Sequence, residues 1–145
     1  MSEPNPERLQ CISIVICNEI YRDEETKNLI LVGTFNQIRS RVFPCRHPRM
    51  SVLVTLTNGQ GSYNLKLCIE HEQSGLEVLT MEGPARFSDP LAVQDMHIRL
   101  RDIILEQPGK YWVMIKADEE ILQQRPLLVT AIETTEKGGQ GNDGE

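Results

Sequence analysis

Four cysteines and three histidines carry the most specific chemistry in this chain. Cys45 and His47 sit two apart in a segment bracketed by Pro44 and Pro48, and Cys68 and His71 sit three apart. Thiolates and imidazoles suit tetrahedral zinc. There is no Cys-x-x-Cys pair, and the spacing matches no metal motif. Positions i and i+3 of a strand face opposite ways, so His71 must lie in a turn to meet Cys68. No metal and no cofactor are expected; whether Cys45, His47, Cys68 and His71 converge is left to the fold. His71-Glu72 opens like a zinc-protease helix, but Gly75 stands where the second His is required. Gly59-Gln60-Gly61-Ser62 reads as a turn, not a nucleophile elbow, and no phosphate-cradling or dinucleotide glycine pattern occurs. Three His leave a spatial Cys–His or Ser–His–Asp pairing open. Surface histidines are the simpler reading, and the chain is expected not to be an enzyme.

Charge supplies a second candidate. No Asp or Glu occurs from Thr26 to Ile69, a stretch that holds Lys27, Arg39, Arg41, Arg46, Arg49 and Lys66. It carries +6 while the rest carries −12, for a net of −6. Arg39 and Arg41 share a strand face, and Arg46 and Arg49 follow in one loop. With His47 they form a candidate anion-binding set. The competing reading pairs these bases across strands with Glu70, Glu72, Asp102 or Glu106, each pair contributing a few tenths of a kcal/mol to about 1. Nucleic acid is an unlikely partner, because the overall charge opposes a phosphate backbone and only Phe35 and Phe43 lie near the Arg residues.

The elements that must position these groups are strands. Residues 11–17 place Ile12, Ile14 and Ile16 on one face. Residues 28–35 are nearly continuously apolar, and residues 37–43 alternate. Residues 44–48 are expected to be irregular, since each Pro lacks an N–H and restricts its predecessor. Alternation resumes at 50–57. Asn58-Gly59 then reads as a type I′ hairpin turn into the run of Tyr63, Leu65, Leu67 and Ile69. A short strand at 76–81 precedes a long connection at 83–95. Strands follow at 96–105, at 111–116 after a type II turn at Pro108-Gly109, and within 121–132. Eight or nine short strands, with turns every ~8–12 residues, predict an all-β antiparallel two-sheet β-sandwich of immunoglobulin-like or related Greek-key type. A small barrel is the alternative.

At 145 residues, 39% hydrophobic and 25% charged, the chain has room for one domain with one core. Its parts are expected to be a polar segment at 1–9, the sandwich at 10–132 and a disordered Gly-rich tail at 133–145. No apolar run reaches the ~18–20 residues of a membrane helix. The polar start reads as lacking a secretory leader. At ~3.3 Å per residue Cys11 and Cys17 lie about 20 Å apart, too far for a disulfide. Free thiols point to a reducing, cytoplasmic location.

Leu31-Val32-Gly33-Thr34-Phe35-Asn36-Gln37-Ile38, then Phe43-Pro44, His47-Pro48 and Gly61, and finally Pro108-Gly109-Lys110-Tyr111 and Pro126-Leu127-Leu128-Val129, occur in an order that resembles a family of small, uncharacterised bacterial domains of unknown function. The resemblance spans about residues 10–131. It implies a β-sandwich and no assigned activity, so it brings no site residues with it. The chain departs from the pattern at Asp118-Glu119-Glu120, where an Asp-Gly turn is usual.

Several strands are apolar on both faces. Tyr111, Val113 and Ile115 oppose Trp112 and Met114, and Val15 backs the isoleucines of the first strand. A two-layer sandwich buries one face of each strand. The other must be covered by the connection at 83–95, by the N-terminal segment or by another chain. The preferred expectation is a non-enzymatic protein–protein interaction module, with a protein partner or a second copy. Its apolar contacts are Val15, Trp112 and Met114, flanked by Arg39 and Arg41. The alternative is a small-ligand or anion-binding module using Arg39, Arg41, Arg46, His47 and Arg49. An enzyme site around His47 or His71 ranks last.

Overall fold

The structure, a computed structural model, describes residues 8–133. The start at 1–7 and the Gly-rich tail from 134 onward lie outside the described residues. Leu9, assigned above to the polar segment, is buried at 5% exposure and joins the core.

Alternating β-branched and aliphatic residues produce nine strands among the described residues. They are β1 (Gln10–Arg22), β2 (Leu29–Thr34), β3 (Gln37–Ser40), β4 (Cys45–Thr57), β5 (Gly61–His71), β6 (Glu77–Phe87), β7 (Val93–Leu105), β8 (Gly109–Ala117) and β9 (Glu120–Ala131). They form a four-stranded sheet, β2-β1-β4-β7, and a five-stranded sheet, β3-β9-β8-β5-β6. The chain is an all-β sandwich of immunoglobulin-like type. Neighbouring strands are antiparallel except β3, which runs parallel to β9 after the chain crosses between sheets at Phe35-Asn36. Near the start of β8 the Tyr111 hydroxyl donates to the Gln107 carbonyl at 2.5 Å, the corner bond typical of such sandwiches.

Period-two alternation sends one row of each strand inward. Val52, Val54 and Leu56 of β4 meet Leu67, Ile69, Val113, Ile115 and Leu127 of the other sheet in one core. Each such side chain contributes about 1.5–3 kcal/mol on burial. Cys17, Ile20 and Leu53 form a smaller cluster, with Val15, Leu29 and Leu31 packed against it.

Four local expectations fail. Asn58-Gly59 is not a hairpin turn, because β4 and β5 lie in different sheets. Asn58 has φ 64° but Gly59 is not left-handed. Gly59 is small because a Cβ there would come within 2.4 Å of the Phe87 ring. Residues 83–87 belong to strand β6, not to a long connection. Gly83 and Pro84 broke the pattern, yet Pro is tolerated on an edge strand. Residues 45–48 open β4 instead of forming an irregular loop, with His47 opposite Ile103. Pro48 has no ladder partner, and beside the gap Asp102 takes φ 50°. The strand expected at 37–43 is the short β3 alone.

The β8–β9 hairpin turns without glycine. Asp118 and Glu119 both take positive φ, 50° and 73°. Asp118 accepts a hydrogen bond from the Asn64 N–H at 2.9 Å, and Glu119 pairs with Lys66 at 3.1 Å. The Asp118 bond to β5 offsets part of the strain of two left-handed residues, and the solvent-facing Glu119 pair adds little.

Candidate functional site

The residues expected to form one apolar contact surface are divided between opposite faces of the molecule. Val15 belongs to the outer cluster of the four-stranded sheet with Cys17 and Leu53. Trp112 and Met114 lie on the outer face of the five-stranded sheet, opposite Glu70 and Cys68 of β5. The centre of that face is buried within the described chain, and the 83–87 part of the expected covering segment belongs to β6 of the same sheet. Met114 is 6% exposed and Cys68 1% exposed. Lys66 and Lys116 border them on one side, Glu70 and Trp112 on the other, and such long side chains shield apolar neighbours with their stems. Trp112 is itself half-buried. Its indole N–H donates to Glu72 at 3.2 Å, and Lys110 sits 5.2 Å above its ring.

The candidate anion set is also split. Arg46 pairs with Asp102, one of the partners anticipated, and Arg49 pairs with Glu19 at 3.2 Å, a partner the sequence did not suggest. Arg39 and Arg41 have no ion pair among the described residues. Arg39 and His47 do share a cleft, of about 770 Å³, with Asn18, Phe35, Asn36 and Gln37. It lies where β1 leaves β4 beyond the Cys17–Ser51 pair and the chain crosses to β3. Arg125 braces this corner by donating to the Asn36 side chain and, at 3.1 Å, to the Ile14 carbonyl. The His47 ring lies 5.7 Å from Phe35, and its Nε2 is buried without a partner. Burial pushes its pKa down, partly opposed by a hydrogen bond to the Arg49 backbone.

The other donors diverge. His71 is buried rather than a surface residue, at 4% exposure. Its Nδ1 accepts from the Ser74 N–H at 3.1 Å, so the proton sits on Nε2 and is shared with the Pro108 carbonyl at 3.2 Å. A Cβ on Gly109 would lie 2.6 Å from that Nε2, which explains the glycine after Pro108. Cys68 faces the opposite side of β5 from His71. All four cysteines are free thiols, and burial pushes Cys11 up to about 11. Among the described residues no group of three or more His, Cys, Asp or Glu could hold a metal ion.

What the sequence reading missed is a sheet edge. A strand edge offers unpaired N–H and C=O groups, which proteins normally blunt with charge, Pro, bulges or short length. Three of the four edge strands are blunted in this way. β3 has four residues, β6 carries Pro84 with Glu77 and Glu82, and β7 carries Asp95, Arg99, Arg101 and the kink at Asp102. β2, Leu-Ile-Leu-Val-Gly-Thr, has no charge and no Pro, and β1 is its only neighbour in the sheet; its regular stretch is Leu29–Val32, because Gly33 turns left-handed at φ 72° and has no ladder partner. Leu29 and Leu31 pack in the outer cluster with Ile20. On the other face Ile30 and Val32 are each 45% exposed, and Tyr21, opposite Ile30, is 55% exposed. The signal was present as the uncharged run at 28–35, but such a run equally describes a strand buried on both sides.

Three solved structures resemble this chain at low identity. A Pseudomonas fluorescens alkylpurine DNA glycosylase, bound to DNA with an abasic-site analogue, is 10% identical with TM-score 0.49, over 85% of this chain and 30% of that one. An immunoglobulin-like protein from Pseudomonas aeruginosa is 11% identical with TM-score 0.43, over 87% of this chain and 99% of that one. A crustacean hemolymph-type prophenoloxidase is 10% identical with TM-score 0.42, over 86% of this chain and 34% of that one. The chain thus spans about a third of the glycosylase and of the prophenoloxidase. No curated protein matches the sequence. No helix of the described residues is long and apolar enough to cross a membrane. A family model does match residues 12–130, and by that match the chain belongs to a family of unknown function, DUF6941.

Proposed function

We propose that this chain is a non-enzymatic, bacterial cytoplasmic protein-binding module that accepts a β-strand from a protein partner along β2. The observation that carries the reading is the contrast among edges: β2 alone of the four edge strands of the described residues carries neither charge nor Pro, and before its break at Gly33, φ 72°, it presents an exposed apolar row. In strand addition the backbone bonds supply affinity and alternate side chains supply specificity. Each bond contributes about 0.5–1.5 kcal/mol net, against an association cost of about 4–15 kcal/mol. Backbone pairing along the four residues before Gly33 is therefore insufficient alone. The exposed apolar row Tyr21, Ile30 and Val32 supplies the rest, and Arg39 at the corner beyond β2 orients the partner. Four free cysteines support the cytoplasmic assignment.

The test is affinity capture from a bacterial lysate with three baits. A partner held by wild type and by Trp112→Ala, but lost with Val32→Lys, supports the reading. A partner lost with Trp112→Ala and held by Val32→Lys moves the contact to the five-stranded sheet and overturns it.

The cleft shared by Arg39 and His47 favours a second reading, a small-anion site. Thermal-shift screening with phosphate and nucleotides checks it. A shift abolished by Arg39→Ala supports it, and no shift with any anion removes it.

A further inference from the structure

We infer that the cleft shared by Arg39 and His47 binds an anionic sugar, a ring of hydroxyl groups that carries one carboxylate or phosphate. The inference rests on the small-anion reading and names the rest of the ligand, the part that Arg39 does not recognise.

Among the described residues that line this cleft, Arg39 alone is charged. It has no ion pair among the described residues, so its guanidinium is open to a single carboxylate or phosphate. Burial keeps His47 neutral at neutral pH, so its ring adds no second cation. The volume, about 770 Å³, falls within the ~300–1,000 Å³ of small-molecule sites and leaves most of the cleft to something other than the anion.

The remaining lining suits hydroxyl groups. Gln37 shares the exposed face of β3 with Arg39, and Asn36 precedes it at the crossover. Gln37 Nε2 donates to Thr130 Oγ1 at 3.0 Å, and Asn36 Oδ1 accepts from Arg125. These bonds turn the two amides in opposite senses, leaving the Gln37 oxygen as an acceptor and the Asn36 amino group as a donor. A third carboxamide, Asn18, lies against Gly33, where a Cβ would come within 2.4 Å of the amide nitrogen. The left-handed glycine that ends the regular part of β2 thus makes room for that amide. His47 adds a buried Nε2 without a partner, which is costly while unmet. A hydroxyl group donates and accepts at once, so it satisfies Nε2 in either tautomer and serves donor and acceptor amides alike. Phe35, its ring 5.7 Å from that of His47, supplies an apolar face for the C–H groups of a sugar ring. A bare anion would meet Arg39 and leave all of these groups idle.

Isothermal titration calorimetry on the full chain, with glucuronate, a hexose monophosphate, glucose, inorganic phosphate and adenosine monophosphate, tests this. Glucuronate or the hexose monophosphate should bind at least about tenfold tighter than either glucose or inorganic phosphate. The tighter of the two tells a carboxylate from a phosphate. Arg39→Ala should erase the advantage over glucose. His47→Phe should weaken the acidic sugar at least about threefold and leave inorganic phosphate unchanged. Gln37→Ala, at an exposed strand position, should do the same, and Trp112→Ala should change nothing. Circular dichroism confirms that each variant folds. Inorganic phosphate bound as tightly as either acidic sugar leaves the small-anion reading standing and overturns the sugar. So does adenosine monophosphate bound tighter than the hexose monophosphate, which would place a base on Phe35. So does an acidic sugar indifferent to both His47→Phe and Gln37→Ala. No binding of any of the five removes the small-anion reading and the inference with it.

Discussion

The outer face of the five-stranded sheet and the β1–β2 hairpin make opposite use of apolar residues. Trp112 and Met114 sit on a central strand with neighbours on both sides, which leaves Met114 buried and Trp112 half-buried. Ile30 and Val32 sit on an edge strand with neighbours on one side only, and nothing in the described chain covers them. Similar hydrophobicity thus means shielding in one place and availability in the other. What differs is the number of neighbouring strands whose side chains can reach across, not the residues themselves.

Replacing one apolar residue in each region sharpens the contrast. Met114→Lys should cost about 3 kcal/mol in a urea melt, because a charge must leave a site with almost no solvent access. A loss under about 1 kcal/mol would mean that this face is open after all. The turns differ too. Glu119→Gly on the five-stranded sheet should stabilise by about 1 kcal/mol, since Gly carries no penalty at φ 73° and the exposed Lys66 pair contributes little.

The corner beside β2 should respond to pH. Burial holds the His47 pKa below 6.5 in the folded chain, so the unfolded chain takes up the proton more readily. The stability involved is present above that value and is lost as pH falls through the folded pKa. His97, lowered by burial and then by Arg99, acts in the same direction. The urea midpoint should drop between about pH 7.5 and about pH 5.5, and drop less in His47→Phe. An equal drop in the variant would place the titration elsewhere. The smallest effect is expected on the hairpin. Val32→Lys should change monomer stability by no more than about 0.5 kcal/mol at a dilution where the chain is monomeric. A larger loss would mean that Val32 packs within its own chain.

Much of the fold was legible because alternation reports faces. The rows Val52–Val54–Leu56 and Tyr111–Val113–Ile115 were read as single faces, and both point into the core. Legibility failed where a residue's role depends on a distant neighbour. Gly59 looked like a turn glycine, but Phe87 is what excludes a side chain there. Pro84 looked like a strand breaker, but it lies on an edge where its missing N–H costs nothing. His71 looked like a surface residue until Ser74 and Pro108 closed around it.

The candidate site divides in the same way. Residue order alone determined that the chain builds paired β-ribbons with one apolar core, and that its bases cluster apart from its acids. Both follow from side-chain period and composition, which are local. Only the tertiary structure decided that Val15 and Trp112 face away from each other, that Arg46 and Arg49 are paired with acids, and that the uncharged β2 lies at a sheet edge. Those outcomes depend on which strands become neighbours, and strand order is settled by long-range pairing that no local period encodes.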